Sequence, residues 1–285
     1  MTASLPSATA VPSLRDLFND NRRMRADISN SQYHSDRSCV SVSGLKQLLR
    51  SPAHFRAYLD GQRKETPAMF FGTAVHSRLL EPKVFATDYV LAPTSDKRST
   101  EYKEFQIANA DKLILTAEQM ATLEGMERAA HAHTSLNTLL RAGLKEQTII
   151  WQDEATGIWL KIRPDCLCIG IGDGNCLDLK STEDASVPEF SRTCVNYHYD
   201  LQAAVYLSGL RAVFGRDFDF CFGAIEKSEP YGVALYGAPE EMLSRGERRF
   251  RQALNILKHC RDTDTWPSYQ PHGAYDLLEW PRWAA

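Results

Sequence analysis

Two short runs in this 285-residue sequence carry side chains that could do chemistry together. Arg163-Pro164-Asp165 is followed, twelve residues later, by Asp178-Leu179-Lys180. On a strand, residues two apart face the same way. Asp178 and Lys180 then project from one face while Leu177 and Leu179 pack into the other. Asp165, ending the preceding strand across a Gly-rich turn, can lie beside them. Two carboxylates converging with a lysine suit a hard cation, Mg²⁺ or Mn²⁺: the oxygens hold the ion, and the ammonium orients a water or offsets charge on a phosphate. The acid-x-Lys half is not distinctive alone, because Glu81-Pro82-Lys83 and Glu101-Tyr102-Lys103 match it. A surface ion pair on an edge strand is the competing reading of Asp178 and Lys180. Context separates them from the other matches: a short apolar strand, a second strand ending in Asp165, and a helix following.

Two further features bear on that site. His76 ends the run Gly72-Thr73-Ala74-Val75-His76 in an apolar helical stretch, where Gly72, one turn earlier on the same face, lets another backbone approach. A hydrogen-bonded core histidine and a metal ligand both fit it. Gln202 and Tyr206 are four apart on the helix after the acidic strand, so their polar tips share a face, as ordinary amphipathic packing would also arrange.

These residues need elements to position them. Residues 1–30 mix Ser, Ala, Pro and Thr with a short charged stretch and read as a flexible arm, leaving one domain over 31–285. Helices are expected over 43–49, over 51–59 after a restart at Ser51-Pro52, and over 68–80, 101–110 and 117–141. Strands are expected over 89–92, 147–152, 159–169 and 175–179. Helices at 187–195 and 201–213, strands at 218–225 and 232–236, and a long helix over 239–260 complete the order. An aromatic tail with Trp266, Tyr269, Trp280 and Trp283 closes the chain. The order is that of an α/β or α+β fold with a mixed central sheet flanked by helices.

Composition narrows the rest. With 33 basic and 36 acidic residues the net charge is −3, so no global positive field advertises a polyanionic partner. A local basic lining around an acidic site would suffice for nucleic acid. Lys46, Arg50, Arg56, Arg63 and Lys64, and later Arg245, Arg248, Arg249 and Arg251, are the groups that could form one; solvated helix faces are the alternative. No apolar run is long enough to span a membrane, and no basic-then-apolar leader opens the chain. Seven cysteines form no C-x-x-C pair, which suits a reducing cytoplasm. Cys166, Cys168 and Cys176 have poor spacing for zinc or an iron–sulfur cluster, and none is expected. A G-x-x-x-x-G-K-S/T motif is absent, so any activity is expected to be ATP-independent.

Together these residues resemble the PD-(D/E)XK nuclease superfamily, and more narrowly its exonuclease VIII (RecE-like) branch, related to the RecB nuclease domain. Tyr33-His34, Ser41-Val42-Ser43-Gly44-Leu45 and Ser51-Pro52-Ala53-His54-Phe55 resemble that family's opening segment. Phe71-Gly72-Thr73-Ala74-Val75-His76 resembles its Gly-Thr-x-x-His helix. Lys161-x-Arg163-Pro164-Asp165, Leu177-Asp178-Leu179-Lys180-Ser181-Thr182 and Tyr199-Asp200-Leu201-Gln202-Ala203-Ala204-x-Tyr206 complete the set. The resemblance implies a restriction-endonuclease-like fold in which His76, Asp165, Asp178 and the Leu179 carbonyl bind Mg²⁺, with Mn²⁺ an alternative. Lys180 would position and help deprotonate the attacking water, and Gln202 and Tyr206 would support the site. The implied reaction is hydrolysis of linear double-stranded DNA from its ends, 5′→3′, leaving 5′-phosphates, in phage-type recombination or repair. A ring-shaped homo-oligomer, trimer or tetramer, and a RecT-like single-strand annealing partner are implied as well, in a bacterial or phage-encoded cytoplasmic protein. A metal-dependent endonuclease and a silent DNA- or protein-binding module on the same fold remain the alternatives.

Overall fold

The structure is a computed structural model, and it describes residues 12–18, 23–61, 66–270 and 275–280. The chain begins with α1 (Leu14–Leu17), β1 (Met24–Arg25), α2 (Asn30–Ser35), α3 (Val42–Arg50), α4 (Pro52–Asp60), α5 (Pro67–Leu80), α6 (Pro82–Asp88) and β2 (Tyr89–Leu91). It continues through α7 (Thr100–Ala108), β3 (Leu113–Leu115), α8 (Ala117–Ala132), α9 (Thr134–Ala142), β4 (Leu144–Lys145), β5 (Thr148–Gln152), β6 (Trp159–Ile162) and β7 (Cys166–Cys168). The last part is β8 (Asn175–Thr182), α10 (Val187–Asn196), α11 (Tyr199–Phe214), β9 (Asp219–Glu226), β10 (Val233–Gly237) and α12 (Glu240–Thr263).

Local chemistry sets many of these boundaries. Ser41, Ser51 and Thr66 each accept a backbone N–H in the first turn of α3, α4 and α5, satisfying donors that a helix start leaves free. Pro52 and Pro67 stand at the first helical position, where their missing N–H costs nothing.

The central sheet has the order β10-β9-β8-β7-β4 and is mixed. β8 and β9 run parallel over their full length, from Asn175↔Asp219 to Thr182↔Glu226, joined by the α10–α11 crossover. β7 pairs antiparallel with both β8 and β4. Along β8 the side chains alternate between two cores. Leu177 and Leu179 pack with α5, α8 and α9, while Cys176 packs on the side of α3, α11 and α12, the face from which Asp178 and Lys180 project.

The mixed central sheet is as expected, and among the described residues two smaller sheets stand beside it. β1-β5-β6 form a separate antiparallel sheet, and β2-β3 a small parallel pair. The strand expected over 159–169 is two strands, broken at Arg163-Pro164-Asp165, because Pro164 has no N–H to give a ladder. The helix expected over 117–141 is also two: His133 leaves helical geometry at ψ 104°, and its Nδ1 accepts from Leu136 N to cap α9.

Much of the expected loose arm is packed. Leu14, Phe18 and Ile28 are buried with Tyr33, Cys39 and Ile150, and β1 pairs with β5. Two buried cations fasten the neighbouring α2 segment. Lys161 Nζ donates to the carbonyls of Tyr33 (2.6 Å) and Asp36 (2.8 Å), and Arg163 Nη2 donates to that of Ile28 (2.6 Å). Residues 1–11 lie outside the described residues, as do Arg63, Lys64 and Trp283. In the tail, Trp266 stacks on Phe55 and Tyr269 takes a hydrogen bond from Arg50, so these two aromatics fold back on α3 and α4.

Gly246 fixes how α12 sits on α11, the helix carrying Gln202 and Tyr206. A Cβ there would lie 2.0 Å from the Asp200 carbonyl oxygen. Gly246→Ala is expected to lower stability by about 1–3 kcal/mol, the usual cost of overpacking, measurable as a shift in urea midpoint.

Candidate active site

Asp178, on the central strand β8, is 1% exposed. Its Oδ2 lies 2.5 Å from Lys180 Nζ, and its Oδ1 accepts from Gln202 Nε2 at 2.6 Å. Lys180 also donates to Gln202 Oε1 at 3.4 Å, so one amide on α11 spans both charged groups. Asp165, at the joint between β6 and β7, accepts from Leu179 N at 2.6 Å through Oδ2, while its Oδ1 faces His76 Nδ1 at 3.4 Å. His76 reaches over from α5, and its Nε2 donates to the Leu179 carbonyl at 3.1 Å. Tyr206 stands further back. Its hydroxyl donates to the Arg163 carbonyl at 3.1 Å, bracing the joint that delivers Asp165. The structure thus brings His76, Asp165, Asp178, Leu179, Lys180 and Gln202 into one group and sets Tyr206 behind it.

Glu146 has no counterpart in the sequence reading. Ligand atoms of His76, Glu146 and Asp165 all lie within 4.8 Å of one another. The pairing of Lys145 with Cys166 between β4 and β7 carries Glu146 alongside Asp165, and Glu146 N donates to the Asp165 carbonyl at 3.3 Å. Its backbone is left-handed at φ 50°, a conformation that a non-glycine residue rarely adopts. Nothing in Lys145-Glu146-Gln147 signals this; only the register does.

The electrostatics are those of a site short of positive charge. Burial, then the neighbouring Asp165, pushes the Glu146 carboxyl up to about 8. Burial also raises Asp178, though Lys180 pulls the other way. Burial opposes charge on His76, but Asp165 outweighs it and lifts the imidazole to about 9. Asp165 is itself lowered, burial being outweighed by His76. Three carboxyl groups this close cannot all ionise without a counter-charge. Oxygen-rich, carrying one imidazole and partly withdrawn from water, the donor set fits a hard divalent cation. His76, Glu146 and Asp165 are the converging groups that could hold it, while Asp178, its two oxygens engaged by Lys180 and Gln202, and the Leu179 carbonyl, engaged by His76, would have to release those partners to join them.

Fold and site together define a nuclease-type scaffold, and the family comparison agrees. The family described as PDDEXK-like domain of unknown function (DUF3799) matches residues 41–276, and the chain belongs to that family, within the PD-(D/E)XK nuclease superfamily. Among solved structures, a protein from Eubacterium rectale described as a "Putative exonuclease" superposes with a TM-score of 0.59. The two are 15% identical over 90% of this chain and 94% of that one, so the likeness is one of fold. A protein named SSO0001, 14% identical over 64% of this chain and 84% of its own, superposes with a TM-score of only 0.28, too loose to carry an argument. Comparison with curated proteins finds no match. Among the described residues, no helix is long and apolar enough to cross a membrane.

The raised groups make stability depend on pH. Folding strengthens proton binding at Glu146 and His76, so their contribution is complete below the unfolded values, near 4.5 and 6.5, and is lost as pH rises through about 8 and 9. Thermal unfolding of metal-free protein should therefore shift to lower temperature between pH 5 and pH 9. Glu146→Gln should flatten that slope, and a divalent cation should restore stability at the alkaline end.

Proposed function

We propose that this chain is a divalent-metal-dependent exodeoxyribonuclease, acting 5′→3′ on linear double-stranded DNA without ATP and using Mg²⁺. The observation that carries the nuclease reading is the convergence of Asp165, Asp178 and Lys180 with His76 at the central strand of the sheet. A bare salt bridge would not explain why two more acids and an imidazole are gathered beside it, with Asp165 buried. The choice of DNA ends, polarity and phage-type recombination or repair rests on the RecE-like sequence resemblance. The same resemblance supports a homo-oligomer and a single-strand annealing partner.

A bound cation would supply charge to offset the phosphate and to ease proton loss from water. The chain's own groups do the positioning. Burial works against charge on Lys180, but Asp178 outweighs it, so the ammonium is held protonated. It is thus a donor that can hold a water or a phosphate oxygen in line. A cation that drew on the charge of Asp178 would loosen the hold of Lys180 on its proton, which would suit Lys180 to help deprotonate that water. Gln202 bridges both side chains and keeps Lys180 from swinging into solvent. The acid Glu146 adds a carboxylate beside Asp165 and His76, suited to holding cation or water there.

Among the basic residues, most are already engaged. Arg245 and Arg249 pair with Asp200, Arg251 pairs with Asp153 and Glu247, and Arg56 lies over Trp266. Lys46 stands near the site instead, with its Nζ 5.4 Å from the Tyr199 ring.

Linear duplex labelled at either 5′ or 3′ ends, beside a covalently closed circle, should show Mg²⁺-dependent loss of the 5′ label with the circle spared. Asp178→Asn and Lys180→Ala should each lower the rate by about 10²-fold or more. Cutting of the circle would make the protein an endonuclease, and untouched DNA in Mg²⁺ and Mn²⁺ would leave a binding module. Lys46→Ala should weaken DNA binding for all sequences and lower its salt slope by about one charge.

A further inference from the structure

An aromatic column stands beside the reaction centre, and the residues that carry the chemistry do not account for it. Phe222 of β9, paired in register with Asp178, stacks on Tyr199 at 5.7 Å and 24°. Tyr199 stacks in turn with Tyr197 at 6.0 Å and 27°. Lys180 Nζ lies 4.6 Å from the Tyr199 ring, so the column is rooted in the sheet at the catalytic strand. Its other end is open. Tyr197 is 62% exposed, while Tyr199 is half-buried.

The backbone is bent to produce this arrangement. Tyr197 caps the end of α10, Tyr199 begins α11, and His198 between them is left-handed at φ 56°, ψ 48°. A non-glycine residue rarely adopts that conformation, and it persists where surroundings hold it. Arg249 Nη1 lies 3.1 Å from His198 Nδ1 and also binds Asp200, tying the turn to α12. The turn lets two tyrosines two positions apart share one stack.

The geometry points to Tyr197, backed by Tyr199, as a stacking platform for a nucleobase of the strand whose phosphate occupies the acidic site. This inference rests on the nuclease reading above and names a contact within it. Every base has a π-face, so such a platform holds a strand without selecting sequence, as a processive enzyme needs. Tyr197 is within about 11 Å of the Lys180 ammonium through the Tyr199 ring, a distance that one or two nucleotides cover. Lys46 adds the matching charge: among the described residues it makes no ion pair, and it lies beside Tyr199, where a backbone phosphate next to the stacked base would give it a partner.

The test uses the full chain and DNA ends carrying 2-aminopurine at each of the last three positions, bound in Ca²⁺ in place of Mg²⁺ so that the acidic site keeps a counter-charge, with gel analysis of the same samples to show the DNA uncut. Stacking on Tyr197 should change the probe's fluorescence at one position. Tyr197→Ala should abolish that change and weaken binding about five-fold or more. Under cutting conditions the same variant should raise KM more than it lowers kcat, and Tyr197→Phe and Tyr197→Trp, which keep a ring, should restore both readouts. Because Tyr197 is exposed, the fold is not at stake in these variants. If Tyr197→Ala binds and perturbs the probe as the native chain does, the platform is overturned while digestion by the native chain would still uphold the nuclease reading. If the native chain digests nothing yet shows the Tyr197-dependent signal, the nuclease reading fails and the base platform stands. Absence of any DNA binding overturns both.

Discussion

A buried ion pair at the middle of a β-sheet is the constraint around which this protein is built. Asp178 and Lys180 project from the same face of β8, both largely removed from water. Charges in such a place must be matched by geometry and further hydrogen bonds, because an unpaired buried charge costs about 3–5 kcal/mol. The fold meets that demand from one helix. α11 supplies Gln202 to both partners and Tyr206 to the strand joint behind them, and Gly246 lets α12 press that helix into position. On the opposite face, Leu177 and Leu179 anchor the strand in apolar packing. The strand is thus greasy on one side and charged on the other, and the parallel neighbour β9 holds it along its whole length.

The portion of the site set by local spacing was legible in the sequence. Two-residue alternation alone places Asp178 with Lys180, and four-residue spacing places Gln202 with Tyr206. Asp165 needed only a turn. Glu146 was not legible, since its place depends on the register of a two-residue strand, β4, against β7. The packed arm escaped notice for a similar reason: its first residues look polar and irregular, and the cations that fasten it come 128 and 135 positions later. The aromatic column was hidden because it needs a left-handed histidine, a conformation that His198 does not advertise.

Boundaries of elements followed the same division. Helix starts with a Ser or Thr cap, such as α4 and α5, fell close to their expected positions. Errors came where a single residue interrupts an otherwise continuous pattern, at Pro164 within a strand and at His133 within a helix. Both interruptions matter for the site or its support: the first frees Asp165 from the ladder, and the second bends α9 across the sheet face that backs β7.

Lys161, Arg163 and Asp165 are three alternate residues of one stretch of chain, and they face two different tasks. The two cations grip the carbonyls of the segment from Ile28 to Asp36, while the acid belongs to the reaction centre. Cutting that segment away would strand the buried Lys161 ammonium and leave Arg163 with Thr148 alone, on the very stretch that ends in Asp165. A domain border drawn at residue 31 therefore runs through a knot rather than a hinge, and the smallest piece of this protein able to keep its acidic centre in shape must reach back at least to Ile28.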